Sequence, residues 1–378
     1  MKVVQITTDN REYFGDVSAP APYFGTAPEA VIDGLSRLPG VELHIVSCLQ
    51  QALVRPEKLA GNVYYHGLVI PKSGWMRSLY YGCSTAVRRL LREIRPDIVH
   101  GQGTERDCAI SAVRSGFTNV VTVHGNMAEL QRGGNLGRGL FGRLTARLET
   151  HALKRTAGVL CNSEHTRRLV APRARRTWFV PNAVRRPFFD RPRPDRAGRR
   201  AIPQLLNVGL VTPYKRSLEL LRVIGEVVTA GHDCRIVFAG RLPDHTEYGR
   251  AFSDELSRAR SRGYADHVGY LDLDGLIALM DQSDACIHVP VEEAFGLVAA
   301  EAMARGLKFF GSKRGGLCDI AGGADGAELY EDLSHLRDGI MRWLGAGCPM
   351  PASAAQTMEE RYHPDVVARA HSLIYESL

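Results

Sequence analysis

The sequence predicts an α/β protein made of two doubly wound parallel sheets covered by helices. Three observations carry that prediction. Short β-rich apolar runs alternate regularly with longer helical patterns along the whole chain. The alternation breaks once, over residues 185–200, which are rich in Pro and Arg and poor in aliphatic residues. The 378 residues, at roughly 150 per domain, suffice for two or three folded units with cores of their own.

Taken in order, the first series of strands is 3–8, 42–48, 97–100, 119–125, 158–163 and 177–181, with helical patterns between most of them. A helix is expected from Ala27, and another over 132–155, where Arg132, Arg138, Arg143, Arg147, Lys154 and Arg155 stand beside Leu136, Leu140, Phe141, Leu144 and Leu148. That second helix reads as a surface helix with its apolar face on the sheet, the alternative being a helix lying on an anionic membrane. Residues 185–202 form the linker. The second series is 204–210, 233–240, 284–290 and 308–312, interleaved with helices such as 216–229. Asp272 caps a helix, so Asp272-Leu273-Asp274 reads as a helix start and not as a metal site. A last helical pattern runs from Pro364 to Leu378. The domains are therefore 1–184, 203–360 and a terminal helix within 361–378.

Composition narrows the partners. Hydrophobic residues are 44% and charged residues 24%, ordinary for a globular chain. The formal charge of +7 favours an anionic partner. Eight widely spaced cysteines without a C-x-x-C pair read as buried thiols of a reducing compartment. Neither a signal peptide nor an apolar stretch of ~20 residues is present, so the expected location is cytoplasmic, with at most peripheral contact at the inner face of a membrane. The Arg-rich run 167–200 has few interleaved aromatics and reads as a solvated linker, which argues against nucleic acid. Missing Gly-x-Gly-x-x-Gly, Walker, Gly-x-Ser-x-Gly and His-Glu-x-x-His patterns leave dinucleotide, P-loop and hydrolase readings without an anchor.

In open α/β sheets ligands bind beyond the carboxyl ends of the strands. The residues just after each apolar run are Thr8-Asp9-Asn10, His124-Gly125-Asn126, Asn162-Ser163, Gly209-Leu210, Gly240-Arg241 and Val291-Glu292-Glu293. Two facing sheets would bring these loops to one cleft. The segment from Pro290 to Gly306 carries the most chemistry. It reads as strand end, turn and helix, in which Phe295, Gly296 and Leu297 offer the first free amides of a helix to a phosphate. Glu301 follows Glu293 by eight residues, about 12 Å along a helix, a separation that suits two ends of one long ligand better than a glycosidase carboxylate pair.

This segment, with Glu293 and Glu301 around Phe295-Gly296 and followed by Ala302-Met303-Ala304-Arg305-Gly306, resembles the signature of the retaining GT-B glycosyltransferases of family 4. The resemblance implies that Glu293 meets the donor sugar hydroxyls, Glu301 the ribose hydroxyls, and the amides of Phe295 to Leu297 the diphosphate. Gly209…Lys215 resembles the family's Gly-Arg…Lys segment, so Lys215 is assigned to the leaving diphosphate. Leu210 stands where the family has Arg, and Arg216 and Arg241 are the candidate substitutes. His124 at the end of an apolar strand resembles the family's sugar-facing histidine. Gly25-Thr26 resembles a glycine pair near the diphosphate and acceptor, with Thr26 for the second glycine. Gly315-Gly316-Leu317-Cys318-Asp319 resembles a Gly-Gly-x-Pro-Glu loop and is assigned to the fold. The family's terminal helix, here carrying Tyr375, packs on the first domain.

The implied activity is metal-independent hexosyl transfer with retention, from a nucleotide-diphosphate sugar to a hydroxyl acceptor that is a sugar, a lipid-linked glycan or a small molecule. UDP is favoured as the nucleotide, with GDP-mannose as alternative. No cofactor beyond the donor is expected. The competing readings are a nucleotide-sugar epimerase or phosphorylase on the same fold, and a non-catalytic basic scaffold binding membrane or nucleic acid.

Overall fold

Strands rich in Val, Ile and Leu with both faces apolar can sit only in the middle of a helix-covered parallel sheet. The computed structural model describes residues 1–127, 140–193 and 201–378 and places such strands in two sheets. Two units divide the chain: Met1–Arg185 with Pro364–Leu378, and Arg186–His363.

Unit 1 holds β1 (Lys2–Ile6), β2 (Glu42–Leu49), β3 (Lys58–Ala60), β4 (Val63–Val69), β5 (Ile98–Gln102), β6 (Asn119–Val123), β7 (Gly158–Cys161) and β8 (Thr177–Phe179). Their order across the sheet is β3-β4-β2-β1-β5-β6-β7-β8. All pairings are parallel except β3 with β4, and the strand order reverses between β1 and β5. One face of the sheet buries Val3, Leu43, Ile45, Ile98, Val120 and Leu160 against the helices Thr26–Ser36 and Pro364–Glu376. These two helices touch at Gly34, where an added Cβ would lie 2.3 Å from the carbonyl oxygen of Pro364. Below them, the Tyr375 hydroxyl lies 2.6 Å from His100 Nδ1. The opposite face buries Val4, Ile6, Val46 and Val99 against helix Tyr81–Ile94.

Unit 2 holds β9 (Gln204–Val208), β10 (Arg235–Ala239), β11 (Ala265–His267), β12 (Ala285–His288), β13 (Lys308–Ser312) and β14 (Ala327–Tyr330). The order β11-β10-β9-β12-β13-β14 is parallel throughout. In sequence order that is 3-2-1-4-5-6, the dinucleotide-fold arrangement whose switch point lies between its first and fourth strands. Here those are β9 and β12.

The structure corrects the sequence reading in several places. Strands β3, β4, β11 and β14 were not foreseen. Three of them are three or four residues long and half-exposed or interrupted, while β4 carries His66 and Gly67 inside an otherwise alternating Val63, Tyr65 pattern. The start of the expected solvated linker is packed: Pro187–Asp190 is a short helix and Phe188 is fully buried. The fully buried Arg305 holds this stretch by donating to the carbonyls of Phe188, Arg191 and Pro192 and by a two-pronged contact with Asp281 at 2.8 and 2.9 Å. The rest of that linker, 194–200, and residues 128–139, which include Arg132, Leu136 and Arg138 of the helix expected over 132–155, lie outside the described residues. In the described helix Leu140–Arg155 the buried stripe is Thr145, Glu149, Ala152 and Leu153, while Phe141 is exposed. The inward face is thus partly polar: Glu149 accepts from Thr104, from the Met127 amide and from Arg173. Seven thiols are buried and Cys318 is exposed. No described helix is long and apolar enough to cross a membrane.

Candidate active site

The switch point of unit 2 brings two loops together. After β9 the chain turns through Gly209 (φ 150) and runs to Lys215, whose amide bonds back to the Thr212 carbonyl. Gly240, after β10, lies so close that a Cβ there would stand 1.9 Å from the Gly209 oxygen. Only glycine fits that approach at φ 146. After β12 the chain passes His288, Val289 and Pro290 to Glu293. The Val291 amide donates to the Tyr214 carbonyl at 2.9 Å and ties the two loops.

Their side chains then meet. Lys215 Nζ lies 2.7 Å from Glu293 Oε2, and His288 Nε2 lies 2.9 Å from the same oxygen. Burial resists ionisation of Glu293, but the bond to His288 and the Lys215 charge outweigh it and hold the carboxyl at about 2. Burial and the Lys215 charge push His288 down, against the pull of Glu293. Burial, with the charges of Glu293 and Glu292, raises the Tyr214 phenol to about 12. The Gly315-Gly316 turn braces the acidic loop from behind. The Gly316 amide donates to the Glu293 carbonyl at 2.7 Å, and a Cβ on Gly315 would stand 2.1 Å from that same oxygen.

The helix after Glu293 is Leu297–Ala304, capped by Gly296 in the left-handed region at φ 104. A Cβ on Gly296 would lie 2.6 Å from Leu317 Cδ2, so glycine is required there for space as well as for φ. First-turn amides of any helix lack intrahelical partners, and here Leu297 and its neighbours present that positive end beside Glu293. Phe295 is buried edge-on against Tyr362 at 5.7 Å, which fixes the turn. Glu301 sits on the same helix at 4% exposure, near enough to Cys286 to raise its thiol further than burial alone.

The other basic candidates stand on the same loops, Arg216 next to Lys215 and Arg241 after Gly240, with the Arg241 carbonyl accepting from the Val211 amide at 3.0 Å. Arg216 caps helix Ser217–Thr229 in the left-handed region at φ 54. The Arg241 guanidinium lies 5.5 Å from the Tyr270 ring centre. Leu210, where a cation was expected, is exposed. Asp272 is the N-cap its sequence suggested, accepting from the Gly275 amide at 2.8 Å, while Asp274 pairs with Arg191.

Three candidates belong to unit 1. His124, just after β6, lies 2.9 Å from Gln102 Oε1. Burial lowers its imidazole to about 4 against the opposing effect of a hydrogen bond with Asn182, with His371 adding to the fall, so it is neutral near pH 7. Gly25 caps helix Thr26–Ser36 at φ 89, and Thr26 opens that helix.

Two functional-looking groups escaped the sequence reading. His288 ends an apolar strand and reads as core; the signal was a histidine closing the strand five residues before Glu293. Arg11 is fully buried, with Nε and Nη2 on Asp9, which also accepts from the Tyr65 hydroxyl at 2.8 Å and from the amides of Arg11 and Tyr23. An acid two residues ahead of an arginine at a strand end was its signal.

Comparison with known proteins agrees with this architecture. The family model described as Glycosyltransferase Family 4 matches residues 29–186, and that described as Glycosyl transferases group 1 matches residues 197–347. No curated protein sequence matches. Among solved structures, the chain is similar to a sucrose-phosphate synthase from Thermosynechococcus elongatus, with TM-score 0.76 and 16% identity over 100% of this chain and 98% of that one. It is also similar to Anabaena Alr3699/HepE in complex with UDP and glucose, with TM-score 0.71 and 16% identity over 100% of both chains. The lipopolysaccharide outer core galactosyltransferase WaaB in its apo form matches at TM-score 0.68 and 15% identity, again over 100% of both chains. With both halves matched in the order expected, and a parallel α/β sheet in each, the chain belongs to the GT-B glycosyltransferases of the family 4 type.

Proposed function

We propose that the protein is a retaining, metal-independent hexosyltransferase acting in the cytoplasm, which takes its sugar from a UDP-sugar and gives it to a hydroxyl acceptor. The observation that carries this reading is the convergence of Lys215, Glu293 and His288 at the switch point, beside the amide end of helix Leu297–Ala304. The complexes of Alr3699/HepE with UDP and with UDP-glucose favour uridine as the base.

In this mechanism the donor diphosphate lies against the helix amides, with Lys215 as its cation. As the bond from the sugar carbon to the phosphate oxygen breaks, negative charge grows on the leaving UDP, and these groups stabilise it without reorganising. Lys215 exchanges its contact with Glu293 for the phosphate. His288 stays on Glu293, so the carboxylate remains fixed and ionised to accept from sugar hydroxyls. Glu301 is assigned to the ribose hydroxyls. The acceptor oxygen attacks on the face the leaving group departs from and passes its proton to the departing phosphate. No carboxylate nucleophile is used.

Calorimetric titration of the whole protein with UDP, GDP and ADP, with and without magnesium, tests the reading. UDP is expected to bind more tightly than the others in both buffers, and more weakly to Lys215→Ala. Binding of no nucleotide would overturn it.

A further inference from the structure

Unit 1 contains a polar cavity of about 650 Å³ lined by Glu12, Tyr13, Gln50, Gln51, Lys72 and Arg106. Each of these follows the carboxyl end of a strand: Glu12 and Tyr13 after β1, the glutamines after β2, Lys72 after β4 and Arg106 after β5. The cavity therefore spans the place where the strand order reverses, the general position of ligand crevices in open α/β sheets.

Its walls are held rigidly. The buried Arg11 grips Asp9 and also donates from Nη1 to the carbonyls of Ala19 and Val54 at 2.7 Å, pinning the loops after β1 and β2 to each other. Glu12 Oε1 accepts the amides of both Gln50 and Gln51 at 2.9 Å, so the acidic group of the cavity is committed to its frame. The Arg106 guanidinium is stacked 4.8 Å from the Trp75 ring centre, an arrangement that orients its plane without using its in-plane donors. Among the described residues, neither Lys72 nor Arg106 forms a salt bridge with a carboxylate. Tyr13, 79% exposed, offers an aromatic face at the rim.

Two cations outside any salt bridge among the described residues, of which Arg106 also acts at longer range on the Asp107 carboxyl, form with two side-chain amides and an exposed ring a recognition set for a small polyhydroxylated anion. We propose that this cavity binds the acceptor, and that the acceptor is a sugar bearing a phosphate or carboxylate group. Lys72 and Arg106 take the anion, Gln50 and Gln51 the hydroxyls, and Tyr13 one ring face. The proposal rests on the glycosyltransferase reading above and adds the chemical class of its acceptor.

The test uses the full chain saturated with UDP, titrated with hexose phosphates, hexuronates, the matching neutral hexoses and inorganic phosphate. At least one anionic sugar is expected to bind tenfold or more tightly than its neutral counterpart, and the phosphate and uronate arms identify which anion is preferred. Lys72→Gln and Arg106→Gln should each erase at least tenfold of that affinity while UDP binding and the thermal midpoint stay as in the parent. Equal binding of anionic and neutral sugars, undiminished binding by both variants, or inorganic phosphate binding as tightly as any sugar phosphate would each overturn the proposal. Loss of UDP binding in the parent would instead strike the donor reading, so the two failures are distinguishable.

Discussion

Lys215 and Glu293, on loops that follow the first and fourth strands of the unit 2 sheet, meet through Nζ and Oε2 at 2.7 Å. A contact between residues so far apart in sequence is made by strand order, because β9 and β12 are neighbours in the sheet. In the proposed reaction the two have different ligands, sugar and diphosphate. Glu293→Ala and Lys215→Ala should each lower kcat/KM at least tenfold, or ~1.4 kcal/mol of transition-state stabilisation. The double variant should lose less than the sum of the two, since each residue positions the other. Steady-state kinetics on the four proteins measures this.

The Glu293 carboxyl also sets a pH dependence. Its pKa falls from the ordinary 4.5 to about 2 in the folded protein. The unfolded chain therefore binds the proton more readily, and the stabilisation is complete above about pH 4.5 and lost as pH falls towards 2. Thermal midpoints of the parent and of Glu293→Gln, compared between pH 7 and pH 3, should converge on acidification. A difference that grows as pH falls would contradict this arrangement.

Gly240→Ala places a methyl group 1.9 Å from the Gly209 oxygen at a backbone angle alanine rarely adopts. A loss of about 2–4 kcal/mol is expected, with UDP binding weakened because the two loop ends must part. Gly345→Ala, at a helix end with nothing within 4 Å, is the control and should be neutral or slightly stabilising. Calorimetric melting of both variants decides the matter.

Arg305→Met removes the fully buried donor shared by half-buried Asp281 and the carbonyls of Phe188, Arg191 and Pro192. Leaving these acceptors without it is expected to cost about 1–3 kcal/mol. Chymotrypsin should then cleave after Phe188 and Phe189 much faster than in the parent, where Phe188 is fully buried, which sequencing of the first fragments would show.

The core strands were legible because burial on both faces writes an apolar run into the sequence, as in Val3-Val4-Gln5-Ile6 and Ala285-Cys286-Ile287. Edge strands carry no such mark. Ala265–His267 and Ala327–Tyr330 are short and partly exposed, and their pairing comes from neighbours, not from their own composition. The acidic loop was legible because a turn glycine, a buried aromatic and two acids stand close together in sequence. His288 was not, since a histidine on a buried strand looks the same whether it serves packing or holds a carboxylate. Arg11 was missed for a related reason: a charged residue near an apolar strand reads as surface until its partner Asp9 is placed opposite its guanidinium.

Unit 1 is assembled from two stretches separated by the whole of unit 2. A ribosome releases the first stretch, then unit 2, and only afterwards the helix Pro364–Glu376 that covers Gly34 and reaches His100 through Tyr375. During synthesis the groove on helix Thr26–Ser36 is therefore uncovered while Arg186–His363 is made and folds. Unit 2 is contiguous and can finish first; the earlier-made unit closes last. The nascent chain is most exposed to aggregation and proteolysis in that interval, and chaperone capture should concentrate on the apolar surface beneath the missing helix.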